Sequence, residues 1–128
     1  MAIRVVRLGD PRTQGEGLRL GTVRRPPRGV PKAEQASRDF YDVWLPELAP
    51  TAALVAWAQS KPWTDARWST FARKYRAETR KPEAQRLLAL LAALSKHTNI
   101  SVGCYCEDES RCHRSALREL LAEAGARL

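Results

Sequence analysis

The densest run of reactive side chains is Gly103-Cys104-Tyr105-Cys106-Glu107-Asp108-Glu109-Ser110-Arg111-Cys112-His113-Arg114-Ser115. All three cysteines of the chain fall in it. Three chemistries compete for this stretch. In the first, a cysteine is a nucleophile: Cys106, Glu107, Cys112 and His113 are the catalytic candidates, with His113 or an acidic residue moving the proton and Arg114 holding an anion. In the second, Cys104, Cys106, Cys112 and His113 form a Cys₃His metal site, for which zinc or iron would be the ligand-matched ions. The C-x-C-x5-C-H spacing is not that of a zinc finger or ribbon, and adjacent Cys112 and His113 strain simultaneous ligation. In the third, the thiols are inert and Arg111, His113 and Arg114 bind phosphate at a helix start. No bound cofactor is required by the first or third reading.

The elements that must position this run are legible from patterning. NISVGCYC (99–106) reads as a late strand, and residues 110–124 read as a final helix with Leu117, Leu120 and Leu121 inward and Gly125 at its end. The cluster therefore spans a strand-to-helix turn, where ligands bind in open α/β sheets. Cys104 and Cys106, two apart on a strand, face one side. Asp108 or Ser110 is expected to cap the helix, placing Cys112, His113 and Arg114 in its first turn. A thiol there feels the helix dipole, an imidazole and guanidinium groups, which all favour the thiolate. Glu107, Asp108 and Glu109 oppose it.

Upstream, IRVVRL (3–8) and GLRLGTV (17–23) read as strands, and RRPPRGVP (24–31) reads as a stiff, extended, basic loop. Arg25 and Arg28 on that loop are anion-binding candidates together with Arg114, because proline limits the freedom lost on binding. Should the second strand lie beside the last, this loop approaches the Cys/His/Arg turn. Residues 32–49 combine a possible short helix, KAEQASRDF, with a strand-like YDVWL stopped by Pro46. Helices follow at 50–60 (Thr51 near the cap), 63–80 (Thr64 or Asp65 as cap) and 82–96. Trp68, Phe71 and Tyr75 share a face of the second, which reads as core rather than a base-stacking platform. His97 reads as a helix-end residue. The expected fold is α/β: one small domain over 1–128, a three-layer sandwich with helices packed on a short sheet.

Composition sets the outer bounds. The chain has 128 residues, 22 Lys+Arg and 14 Asp+Glu, for a net charge of +8. The basic excess sits in residues 1–38, with a net of +6. An anionic partner is expected, either a small molecule or a nucleic acid. No apolar run reaches membrane-span length and no signal peptide is read at the N-terminus. Three clustered cysteines are not a disulfide framework, so a reducing cytoplasm is the expected compartment.

With these residues in view, the chain resembles the YeaO-like group of small bacterial proteins, in the superfamily named domain of unknown function 488. The resemblance covers nearly the whole chain. It is carried by the first strand, by Arg25-Pro26-Pro27-Arg28-Gly29, by Leu45-Pro46-Glu47-Leu48-Ala49-Pro50-Thr51 before a helix, by the Trp68, Phe71, Tyr75 helix, and by Cys106-Glu107 with Cys112-His113-Arg114. Pro26 stands where the family usually carries tryptophan. The resemblance implies one α/β domain in a bacterial cytoplasm and implies no particular reaction. From the residues themselves, the leading expectation is an enzyme-like domain that binds a nucleotide or nucleic-acid phosphate at the Cys/Glu/Cys/His/Arg turn. The alternative is a non-enzymatic, metal- or redox-responsive module that binds nucleic acid.

Overall fold

A computed structural model describes residues 1–128. Strands β1 (Ile3–Arg7), β2 (Leu18–Gly21), β3 (Val43–Trp44) and β4 (Ile100–Cys104) form one sheet in the order β1-β4-β2-β3. Every pairing is parallel, so the C-terminal ends of all four strands lie along one edge. The last strand in sequence is an inner strand. Ile3 to Arg7 run beside Ile100 to Cys104, and Leu18 to Gly21 run beside Ile100 to Gly103. β4 is buried along its whole length, as an inner parallel strand requires.

Helices α1 (Ala52–Gln59), α2 (Asp65–Glu78), α3 (Pro82–Leu94) and α4 (His113–Glu123) contribute to one core with Ile3, Leu20, Ile100 and Val102 of the sheet. Capping sets their starts. Thr51 and Thr64 accept the Leu54 and Arg67 amides, and Pro82 sits in the first turn of α3. The aromatic stripe of α2 is core, as its spacing predicts. Phe71 and Tyr75 are buried, and Phe71 forms a cluster with Trp63, edge-on, and with the stacked ring of Trp68.

The opposite face of the sheet is covered by chain between the strands rather than by helix. KAEQASRDF makes only a 3-10 turn, Lys32–Glu34, and Asp39 follows with φ of 63°. This segment lays Tyr41 on Gly21, where a Cβ would lie 2.3 Å from the ring. Leu8 lies on Gly103 in the same way, with 2.6 Å to a hypothetical Cβ. These two glycines are register partners, so the covering layer meets bare backbone on both strands. His97 is exposed beyond the end of α3.

The same face holds a buried ion pair. Arg19 donates to both carboxylate oxygens of Glu16, at 2.8 and 2.9 Å, and to the carbonyls of Asp10 and Asp39. Ser101 completes the group by donating to Glu16 at 2.9 Å. All three side chains are buried. The guanidinium holds the Glu16 carboxyl down at about 2, well below its ordinary 4.5. A carboxyl lowered on folding stabilises the fold above its unfolded pKa, and that contribution is lost as pH falls. Stability should therefore be level above pH about 4.5 and decline toward pH about 2. Denaturant unfolding across that range checks this, and Glu16→Gln should cost about 3–5 kcal/mol by leaving Arg19 buried without its counter-charge.

Candidate functional site

β4 ends at Cys104, a short turn carries Cys106, a 3-10 turn spans Glu109–Arg111, and α4 begins at His113. The chain doubles back within nine residues, which is why three thiols separated in sequence converge. Their Sγ atoms all lie within 4.8 Å of one another. Cys104 Sγ donates to Cys106 Sγ at 3.8 Å. Cys104 and Cys112 are buried, and Cys106 is exposed.

Capping in this turn differs from the expectation. Asp108 caps the 3-10 turn, accepting from the Ser110 amide at 3.0 Å, rather than the helix. Cys112 is itself the N-cap of α4, in extended backbone, with no side-chain cap bond. That places its sulfur beside the positive end of the helix instead of within the first turn.

The acidic run opposes the thiolate less than its spacing suggests, because each carboxylate has other company. Glu107 is largely exposed and pairs with Arg7 at 3.5 Å. Glu109 pairs with Arg118 at 2.7 Å, and Asp108 is bound to Ser110. Shared hydrogen bonds from Cys104 and Cys112, with the Arg114 charge, hold Cys106 well below an ordinary thiol. Cys104, as the donor to Cys106 and Cys112 and as a buried group, is pushed far up. Cys112 is lowered by Cys104 first and by His113. The thiolate is thus favoured most at Cys106, the exposed sulfur.

His113 is buried with its Nδ1 3.7 Å from Cys112 Sγ and its Nε2 3.2 Å from Thr22 Oγ1. Its ring lies 5.4 Å from that of Tyr75, centroid to centroid. The sulfur group that could hold one metal ion comprises the three cysteines without His113, whose nitrogens face Cys112 and Thr22. Tetrahedral zinc bonds sulfur at about 2.3 Å, which sets ligand sulfurs about 3.8 Å apart. The Cys104–Cys106 separation already meets that spacing.

Arg114 is buried and committed to backbone. Its Nη1 donates to Val6 O at 2.7 Å and its Nη2 to Cys106 O at 2.6 Å. It positions the Cys106 turn and supplies charge from behind, so it is not the open anion hook that its type suggested.

The thiols form part of the wall of a cavity of about 960 Å³. β2 lies beside β4, and the basic loop that follows β2 forms another wall. Arg25 and Arg28 both line the cavity and are exposed, with no carboxylate or hydrogen-bond acceptor of the protein engaging either guanidinium. Arg24 also lines it but is tied to the carbonyls of Pro46, Ala49 and Pro50. Tyr105 fastens the loop to the thiol turn by donating to Arg25 O at 2.9 Å. Pro26, Pro27, Phe40, Val55 and Trp63 add apolar surface. The structure brings Arg25, Arg28, Cys106, Cys112 and His113 to one cavity, and Glu107 lies outside it.

Sequence reasoning missed Thr22, Tyr105 and Tyr75 as parts of this site. Tyr105 carried a signal, since it lies between two clustered cysteines. Arg111 lines the cavity and pairs with Asp65 at the start of α2. Thr22 and Tyr75 are far away in sequence and only the tertiary fold brings them in.

A family model described as the active DUF488-N3 subclade matches residues 3–125. No curated protein and no solved structure matches the chain.

The thiols should differ in reactivity. Limited alkylation with iodoacetamide near pH 6, read by peptide mass spectrometry, should label Cys106 first and Cys104 last. Uniform labelling, or labelling only at the pH of an ordinary thiol near about 8.5, would contradict the charge distribution described above.

Proposed function

The chain belongs to the DUF488 family, in the branch described as its active N3 subclade, and from that premise we propose that the cavity binds a phosphate-bearing substrate on which Cys106 acts as a nucleophile. The carrying observation is the meeting of two unpaired guanidinium groups, Arg25 and Arg28, with an exposed thiol in one cavity. Guanidinium forks suit phosphate, and the proline-stiffened backbone holds them with little freedom to lose. The cavity volume is that of a small-molecule site. Its prolines and aromatic rings suit a flat apolar moiety, so a nucleotide fits both halves.

Roles follow from position. Cys106 Sγ donates an electron pair to the electrophilic atom, and the leaving group departs with the pair of the broken bond. Cys104 Sγ–H supports the thiolate, and Cys112 with His113 carries the proton. Arg114 fixes the Cys106 turn through its carbonyl. Glu107 has no part, because it faces Arg7. A reducing cytoplasm would keep the three thiols free.

A second reading has one specific observation in its favour. Three Sγ atoms within 4.8 Å of one another match a trithiolate site. Zinc or iron would be held by Cys104, Cys106 and Cys112. On that reading the ion would supply Lewis-acid or redox chemistry and Cys106 would not be the nucleophile.

Calorimetric titration with inorganic phosphate and with nucleotides tests the first reading. Arg25→Ala with Arg28→Ala should weaken binding at least tenfold, equivalent to about 1.4 kcal/mol. Cys106→Ser should keep binding and lose covalent chemistry. Equal binding by the double variant would overturn the assignment. Binding of DNA or RNA that falls steeply with salt, without dependence on Cys106, would favour a nucleic-acid module instead. Anaerobic purification addresses the metal: about one ion per chain with protected thiols would establish the trithiolate reading, and free thiols without an ion would remove it.

A further inference from the structure

The thiol turn is bonded to two unlike walls of the cavity. Tyr105 donates to Arg25 O on the basic loop, at 2.9 Å. Arg111 pairs with Asp65 at 2.6 Å, two residues after Trp63. The first wall carries charge. The second is supplied by α1 and by Trp63 and carries none. Ala52, Val55, Ala56 and Gln59 reach the cavity at the i, i+3, i+4, i+7 spacing of one helix face. Leu54 and Trp57 of the same helix join the core instead. The cavity face of α1 is therefore small and apolar until its last residue, which is a carboxamide. Gln59 is the one amide side chain lining the cavity; it is exposed and makes no hydrogen bond within the protein.

Trp63 follows after a short connection stiffened by Pro62. Its ring meets Trp68 and Phe71 edge to face, with centroids 5.7 and 5.5 Å away. Phe71 is buried, so the indole is braced against the core from behind. It remains half-buried and lines the cavity. A flat apolar surface and a free carboxamide thus stand four residues apart on one wall, facing a cavity that two unpaired guanidinium groups also line. No carboxylate lines the cavity to repel a phosphate.

We infer that Trp63 and Gln59 are the specificity-determining residues of the cavity, Trp63 as the surface on which a nucleobase stacks and Gln59 as the group that pairs with its edge. The inference rests on the reading of the cavity as a phosphate-binding site, and within that reading it names the substrate class: a nucleoside phosphate rather than a sugar phosphate. A carboxamide holds an acceptor and a donor side by side in one plane. That is the pattern with which glutamine meets a base edge, as in its paired bonds to adenine. The arginines cannot supply it, because a guanidinium only donates. The Tyr105 hydroxyl is already committed to Arg25 O. A sugar phosphate without a base would leave the indole and the alanine face of α1 uncovered. Apolar walls with a few placed polar groups are what fix the orientation of a small ligand.

The test is calorimetric titration of the intact protein with inorganic phosphate, ribose 5-phosphate and the four nucleoside 5′-monophosphates. At least one nucleotide should bind about tenfold or more tighter than ribose 5-phosphate, the gain expected from stacking a base on an aromatic ring. Trp63→Leu should remove about tenfold of nucleotide affinity and Gln59→Leu about fivefold. Both variants should leave inorganic phosphate and ribose 5-phosphate binding unchanged, whereas a merely structural role would weaken all ligands together. Gln59 is exposed at the end of a helix, so Gln59→Leu serves even where Trp63→Leu, which loses core contacts, does not fold. Nucleotides that bind no tighter than ribose 5-phosphate would overturn the inference, and so would a nucleotide preference that Gln59→Leu leaves intact. In both cases phosphate binding that depends on Arg25 and Arg28 would leave the cavity reading standing. Failure of all these ligands to bind would remove the cavity reading itself, and the base-recognition role with it.

Discussion

The site depends on one buried guanidinium. Arg114 reaches from the first turn of α4 to the carbonyl of Val6 on β1 and to the carbonyl of Cys106 on the turn after β4. A charge in that position is costly to bury and is tolerated because carbonyls receive it. It ties an edge strand, the reactive turn and the last helix together with one side chain. Its charge also lies close enough to lower the Cys106 thiol. Position and electrostatics therefore come from the same residue, and the open arginines of the preceding loop are left free for a ligand.

A second constraint acts through the backbone. Because β2 and β4 are parallel neighbours, their C-terminal ends open on the same edge. The basic loop leaves one and the thiol turn leaves the other, and Tyr105 bonds the two together. Convergence of positive charge and thiol is thus a product of strand order. Thr22 belongs to the same junction, since its amide and hydroxyl both bond to Gly103 O across the two strands.

Much of this is legible in the sequence alone. β-branched runs, proline positions and threonine caps marked β1, β2 and the helices within a few residues. The cysteine cluster and the strand-to-helix turn were visible as residue types in order. What was not visible depends on neighbours. That two carbonyls lie within reach of Arg114 is not readable from residue type. The pairing of Glu107 with Arg7 arises only because β1 lies beside β4. KAEQASRDF has helix-forming composition, but it must return across the sheet to seat Tyr41 on Gly21, and that leaves it one 3-10 turn. The family resemblance, carried by short motifs along the chain, agrees with the match over residues 3–125.

Strand order also dictates how the chain must assemble. The inner strand β4 is made of residues 100–104, and it joins β1 to β2. Until those residues emerge from a ribosome, β1 has no neighbour in the sheet. The backbone link between Ile3 N and Arg127 O closes almost the whole chain into a loop. Such distant pairings are slow to form, because loop closure comes before any reward from contact. The nascent β1 strand therefore waits, unpaired, for the far end of the polypeptide. Assembly of the reactive turn coincides with completion of the sheet, so a partly made chain has no thiol cluster to expose.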